Sequence, residues 1–289
     1  MKKFLFLIPV FNDWNSLSIL LKKINSEIFS SENIFDILIV NDGSNTKPNI
    51  NFKLFNKFSS IKIINIKKNI GSQSAIAIGL KYISNLQEVE KIIVMDADGE
   101  DDPSSLKEMI KYAEDFPENI ITVNRTKRNT NFIFRIFYEI HYLFTYFIVG
   151  KKIRFGNYSL ISFKNLKNLF NNRDLLIAYP STIMKNFSKD IKPIFAERKK
   201  RYTDNSKMSF FQLILHSLRI ITVFKLRLNL LSLIYLFIST ALYFILESNF
   251  FLFLNILIVT FNIFIFFIFL KYNKFSFDNY ESLIENIDK

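Results

Sequence analysis

Two long stretches near the carboxyl end limit what this chain can become. Leu228 to Leu246 is 19 residues without a charge and Ser248 to Leu270 is another 23, with only Glu247 between them. As α-helices they would reach about 28 and about 34 Å, the thickness of a bilayer's hydrocarbon core. Two such runs in succession fit a transmembrane hairpin better than two buried helices of a soluble domain. Lys225 and Arg227 precede the first run, and Lys271 and Lys274 follow the second. The positive-inside rule therefore puts both ends in the cytoplasm and the turn at 247–249 on the other side of an inner or plasma membrane.

Composition narrows the rest. At 49% hydrophobic with 34 Phe the chain is too apolar to be disordered, and with no Cys it has no disulfide scaffold, thiolate nucleophile or Cys-ligated metal. Residues 1–227 carry 35 basic against 21 acidic side chains, a charge of +14 drawn to an anionic inner leaflet. Lys2-Lys3 followed by the apolar run from Phe4 imitates a signal peptide. With Pro9 and no small-residue cleavage site, it reads instead as a buried strand.

Short apolar runs recur at Lys3–Pro9, Phe35–Val40, Ile61–Ile66, Lys91–Met95 and Asn119–Val123, with helix-like spacing over Asn15–Ile28, Gly71–Leu86 and Pro103–Tyr112. This alternation predicts an α/β fold, a mostly parallel sheet covered by helices, whose ligands bind beyond the carboxyl ends of the strands. Four successive strands deliver polar residues there: Asn12-Asp13, Asn41-Asp42-Gly43-Ser44, Asn69-Ile70-Gly71, and Asp96 to Asp102. Any one of these is a cap or a turn by itself, but four in phase describe a site. Gly71 and Gly79 are expected to permit close packing of the backbone.

Five carboxylates in the seven residues Asp96–Asp102 need cations. Asp96, Asp98 and Glu100 alternate, so an extended segment would project them together as hard ligands for Mg²⁺ or Mn²⁺. Asp101 and Asp102 are expected to open the helix at Pro103. Basic residues follow the fifth strand (Arg125, Lys127, Arg128, Arg135) and precede the membrane (Arg198, Lys199, Lys200, Arg201, Lys207). They suit phosphate recognition as well as lipid headgroups.

Together, LIPVFND, VNDGS, NIGSQSAIAIGL, MDADGEDDP, NRTKR, FGNYSLIS and RYTDNSKMSF resemble, in order, the motifs of family 2 glycosyltransferases of GT-A fold. The likeness is to the polyprenyl-phosphate glycosyltransferases related to dolichol-phosphate-mannose synthase, and it covers about residues 4–210. It implies a Rossmann-like GT-A domain with Pro9, Asn12, Asp13, Asp42 and Asp96 at the nucleotide sugar and Asp96, Asp98 and Glu100 at the metal. Asp98, Arg125, Arg135 and Arg201 would be catalytic, and Arg128, Ser206 and Lys207 would hold acceptor or phosphate. The chain departs from the pattern at Asp13 (usually Glu), Asn41 (Asp), Glu100 (Gln), Asn157 (Asp), Ser159 (Arg) and Asp204 (Gly).

The resemblance thus implies an inverting, metal-dependent enzyme that moves a sugar from a nucleotide diphosphate donor to a polyprenyl phosphate at the cytoplasmic face. Expected partners are donor, lipid acceptor, membrane and a second copy of the chain, with no nucleic acid. Expected boundaries are 1–207 for the GT-A domain, 208–227 for an interfacial amphipathic helix, 228–246 and 248–270 for the spans and 271–289 for a cytoplasmic tail. Phe132–Val149 and Met208–Phe224, aromatic-rich and broken by few charges, are expected to guide the lipid. Two alternatives stay open: a saccharide or protein acceptor in envelope glycan synthesis, needing a base such as Asp101 or Asp102, and a non-catalytic paralogue regulating a partner transferase.

Overall fold

The structure, a computed structural model, describes residues 2–28, 33–86, 88–126, 139, 142–143, 145–150, 153–203, 210–273 and 277–288. The chain divides into two compact units, one of residues 1–129, 154–207 and 275–289, the other of residues 130–153 and 208–274.

The first unit is built on an eight-stranded mixed sheet. Its strands are β1 (Lys2–Val10), β2 (Asn33–Asn41), β3 (Ser60–Ile66), β4 (Lys91–Val94), β5 (Ile120–Arg125), β6 (Phe155–Ser162), β7 (Ile191–Ala196) and β8 (Ile284–Asp288), in the order β7-β5-β6-β4-β1-β2-β3-β8. The central run β4-β1-β2-β3 is parallel, as the alternation of runs predicts. β1 is buried along both faces: Phe4, Phe6 and Ile8 point into the cluster with helix α1 (Trp14–Glu27), and Leu7 points the other way. Hence its sequence is continuously apolar instead of alternating. On α1, Leu17, Leu20, Leu21 and Ile24 recur at helical spacing and are fully buried.

Helix α2 (Ser72–Ser84) lies so close to the sheet at Gly79 that an added methyl would run into Leu7, so the expected packing role holds there. Gly71 has open space where a side chain would go. Its φ of +91° is what calls for glycine, a conformational role in place of the packing role expected. Helix α3 (Leu106–Asp115) adds Leu106, Met109 and Ala113 to the core, and α4 (Phe163–Leu169) and α5 (Tyr179–Phe187) follow β6.

The sequence runs did not register β6, β7 or β8. β7 carries Pro193 and is a sheet edge, where a strand tolerates the missing donor. β8 closes the opposite edge, antiparallel to β3. Residues set apart as a tail therefore return to the first unit, with Lys67 N donating to Leu283 O at 3.0 Å and Asn85 Nδ2 to Tyr280 Oη at 3.0 Å.

The second unit holds helices α6 (Phe210–Val223), α7 (Lys225–Leu246) and α8 (Asn249–Asn273), with residues 145–149 also helical. By length and composition α7 and α8 can each cross a membrane, and only 17% and 11% of their most apolar windows are buried. Such exposure, with Phe237 at 78%, is wrong for soluble core helices and right for lipid-facing ones. Glu247 takes φ +46° at the turn, and Asn262 Nδ2 donates to Ser232 Oγ across the hairpin at 2.8 Å.

Candidate active site

The carboxyl ends of β1, β2 and β4 meet at one edge of the sheet, and the polar residues predicted there are gathered with them. Asn12 leaves β1 with φ +51°. Its side-chain oxygen accepts from Asn45 N at 2.8 Å while its own N–H donates to Ser44 Oγ at 2.9 Å, clamping the loop after β2. Trp14 Nε1 donates to Thr46 O at 2.8 Å, so the only Trp braces the same loop as well as packing. Pro9 is buried in β1 opposite Val40. Asp13 Oδ1 accepts from Thr203 Oγ1 at 3.1 Å.

Asp42 is 2% exposed, and its two oxygens accept from Ile70 N at 2.8 Å and Gly71 N at 2.9 Å. Burial pushes its carboxyl up to about 6 although both backbone donors pull the other way.

Beyond β4 the acidic segment is met by residues 198–202. Tyr202 N donates to Asp98 O and Lys199 N to Glu100 O, both at 3.0 Å, so the two segments run against each other through their backbones. Arg201 Nη2 lies 2.6 Å from Asp98 Oδ2, Arg201 also reaches Glu100 at 3.4 Å, and Arg198 pairs with Glu100. Arg125 holds Asp101 at 2.9 Å and Glu100 at 3.8 Å. Gly99, at φ +84°, leaves the space that the Tyr202 ring fills; a methyl there would collide with it. Asp102 caps the turn at Pro103 by accepting from Ser104 N at 3.2 Å, as expected of a helix start. Asp101 does not share that role, because Arg125 takes it into the site.

Glu100 is turned to its arginines, and among the described residues no three His, Cys, Asp or Glu side chains gather around one ion position. The alternation that predicted a common ligand set of Asp96, Asp98 and Glu100 assumed an extended segment, which the turn at Gly99 breaks. Asp96 and Asp98 are left. Both are half-buried, and the loss of surrounding water raises each above the usual carboxylate range, with the charge of Asp98 adding to the effect on Asp96. These two half-buried carboxylates offer the hard oxygens that suit Mg²⁺ or Mn²⁺, and Asp98 also accepts from Glu100 N at 2.9 Å and pairs with Arg201.

Asp96 is oriented by Asn157, which sequence reading noticed only as a departure from pattern, and behind it by Gln73 and Tyr179, which it did not single out. Tyr179 N donates to Gln73 Oε1 at 2.7 Å, Gln73 Nε2 to Asn157 Oδ1 at 3.0 Å, and Asn157 Nδ2 to Asp96 Oδ1 at 2.8 Å. Ser159 Oγ and Tyr179 Oη are 2.7 Å apart in the same buried layer. Neutral amides and hydroxyls thus occupy the positions where the family pattern has an Asp and an Arg. Gln73 carried a signal, a polar residue on a helix face that is otherwise apolar. Arg128, Arg135, Ser206, Lys207 and Asp204 lie outside the described residues, as does His141.

Comparison with known proteins agrees with this geometry. The model of the family described as Glycosyl transferase family 2 matches residues 6–180, more than half the chain. The chain belongs to glycosyl transferase family 2. Among its family relatives, the putative glycosyltransferase CsbB of Bacillus subtilis is 26% identical over 214 residues, 72% of this chain and 62% of that protein. The undecaprenyl-phosphate 4-deoxy-4-formamido-L-arabinose transferase of Serratia proteamaculans is 26% identical over 133 residues, 45% of this chain and 40% of that enzyme. The chain therefore spans less than two thirds of either relative. Glucosyl-3-phosphoglycerate synthase of Mycobacterium tuberculosis, solved with Mn²⁺, UDP and phosphoglyceric acid, matches 78% of each chain at TM-score 0.55 and 11% identity. This structural likeness carries the fold alone, which is GT-A.

Proposed function

We propose that the chain is a membrane-bound glycosyltransferase that moves a sugar from a nucleotide diphosphate donor to a polyprenyl phosphate at the cytoplasmic face, with inversion at the anomeric carbon. One observation carries the reading: Asn12, Asp42, Asp96 and Asp98 follow the carboxyl ends of β1, β2 and β4, with Arg201 paired to Asp98 and Arg198 to Glu100, in a chain with two helices able to span a bilayer. A nucleoside fits the Asn12–Asp42 end, where Asp42 accepts from its base or ribose. The diphosphate fits the Asp96–Asp98 end. A relative named as an undecaprenyl-phosphate transferase supports a lipid phosphate as acceptor.

The acceptor phosphate is ionised at neutral pH, so the chain supplies positioning and charge, not a strong base. Arg201, Arg198 and Arg125 neutralise the departing diphosphate, and their ion pairs with Asp98, Glu100 and Asp101 hold them in place beforehand. Arg135, Arg128, Ser206 and Lys207 complete the phosphate contacts in this reading. Asp96 and Asp98 would hold a divalent ion, which when bound would supply Lewis-acid neutralisation of the diphosphate charge. An acceptor hydroxyl would need a carboxylate base, and Asp102 is spent on its cap and Asp101 on Arg125.

In this account residues 1–207 form the transferase domain, 208–227 an interfacial helix, and 228–246 and 248–270 the spans, with both chain ends cytoplasmic. The test is transfer from a panel of radiolabelled UDP- and GDP-sugars to short polyprenyl phosphate in detergent. A chloroform-extractable labelled product supports the reading. Label transferred only to added saccharide, or nucleotide binding without turnover, overturns it.

A further inference from the structure

The loop after β2 is tied to the last residues of the chain by a row of asparagines. Asn41, Asn65 and Asn286 stand opposite one another in the registers of β2 with β3 and β3 with β8. Ser44 N donates to Asn41 Oδ1 at 3.0 Å, and Asn41 Nδ2 donates to Asn65 Oδ1 at 2.8 Å. Asn65 Nδ2 in turn donates to Asn286 Oδ1 at 2.6 Å and to Asp288 Oδ2 at 2.8 Å.

The direction of the whole row follows from its far end. A carboxylate only accepts, so Asp288 requires Asn65 to turn its NH₂ toward β8 and its oxygen toward Asn41. Asn41 must then turn its NH₂ to Asn65 and its oxygen to Ser44 N. An Asp at position 41, as in the family's V-D-D-G-S, has no hydrogen to give Asn65. The row continues into the site, since Ser44 Oγ accepts from Asn12 N and Asn12 Oδ1 from Asn45 N.

We propose that β8 positions the nucleotide-binding loop: Asp288, through Asn65 and Asn41, holds residues 44–46 in the conformation that accepts the donor's nucleoside. The proposal rests on the nucleotide-sugar reading above and deepens it. A segment that follows the second apolar helix thereby completes the donor site of a domain whose other parts precede the first. These are positioning residues, so they act on donor affinity and leave the chemical step alone.

A cross-strand ladder that merely fastens β8 would show the same bonds, and reversing the direction of the row separates the two. In the full-length protein in detergent, binding of UDP, GDP, CDP and dTDP is measured by calorimetry, with donor KM, kcat and Tm, for wild type, Asp288→Lys, Asn41→Asp and the double variant. Lys at 288 only donates, so Asn65 turns round and offers its NH₂ to position 41, where an Asp can accept it. Each single variant is expected to raise nucleotide Kd and donor KM about three- to tenfold with kcat unchanged, and the double to return to within about twofold of wild type. Unchanged Kd in Asp288→Lys, a lowered Tm without a change in Kd, or additive losses in the double variant would each overturn the proposal. If the wild type binds none of the four nucleotides, the nucleotide-sugar reading itself falls and the proposal with it. Binding by the wild type and equal binding by the variants sinks the proposal alone.

Discussion

Arg201 and Asp98 form an ion pair that the following residue reinforces: the guanidinium lies 2.6 Å from Asp98 Oδ2, and Tyr202 donates its N–H to Asp98 O at 3.0 Å. A cation is thus fixed, by backbone as well as side chain, beside the carboxylate proposed to face the donor's diphosphate. Preset charge of this kind lowers a barrier because it needs no rearrangement when the leaving group departs.

Removing that cation should cost turnover. Arg201→Ala is expected to lower kcat about 10²-fold or more with a smaller change in donor KM, and Arg201→Lys, a point charge without the fork, to recover only part. Steady-state kinetics on both variants checks this; a change in KM alone would assign Arg201 to ground-state binding.

Asp42 gives a pH dependence with a definite sign. Burial raises its carboxyl to about 6 in the folded chain, and accepting from the donor's nucleoside requires the ionised form. Nucleotide affinity should therefore be full above pH 7 and weaken as pH falls through 6, by about tenfold at pH 5. Asp42→Ala should bind weakly at every pH, so the ratio of the two profiles cancels the nucleotide's own phosphate titration. A flat ratio would remove Asp42 from the site.

Stability runs in the opposite direction for the same group. Because the folded value lies above the unfolded one of 3.8, the chain is favoured with Asp42 protonated, and this contribution is lost as pH rises from about 4 to about 6. At neutral pH the fold bears that cost to keep a buried carboxylate ionised against the N–H groups of Ile70 and Gly71.

Much of this was legible in the sequence. The apolar runs of β1 to β5 and the helical spacing of α1 follow from burial on two faces and on one, so they appear directly in the letters. Polar residues at four strand ends pointed to the edge where the candidate site lies. What escaped was set by pairings distant in sequence. β8 is an ordinary polar edge strand that is recognisable only from Asn65 beside it, and the hold of Arg125 on Asp101 needs the sheet order. The Gly99 turn, which parts Glu100 from Asp96 and Asp98, is required by the Tyr202 ring some hundred residues later.

Glu100, where the family pattern has Gln, fastens the 198–202 segment through Arg198 and Arg201. Glu100→Gln should leave that segment held by its backbone bonds and by the Arg201–Asp98 and Lys199–Asp102 pairs, and speed tryptic cleavage after Arg198, Lys199 and Lys200 severalfold. Cleavage at the wild-type rate would show that these remaining contacts suffice.

Within the hairpin, Asn262→Leu removes the bond to Ser232 Oγ. Hydrogen bonds between membrane helices contribute about 0.6 kcal/mol on average, so the hairpin should weaken by about that amount in a detergent-denaturation titration, with donor affinity untouched.

The central claim is metal-assisted sugar transfer at the Asp96–Asp98 edge. It is tested most directly by comparing wild type with Asp98→Ala for label transferred to short polyprenyl phosphate with and without Mg²⁺ or Mn²⁺, alongside nucleotide binding. The expected result is a lipid product that needs the ion and is lost in the variant while nucleoside binding persists. Transfer by Asp98→Ala at nearly the wild-type rate would contradict it.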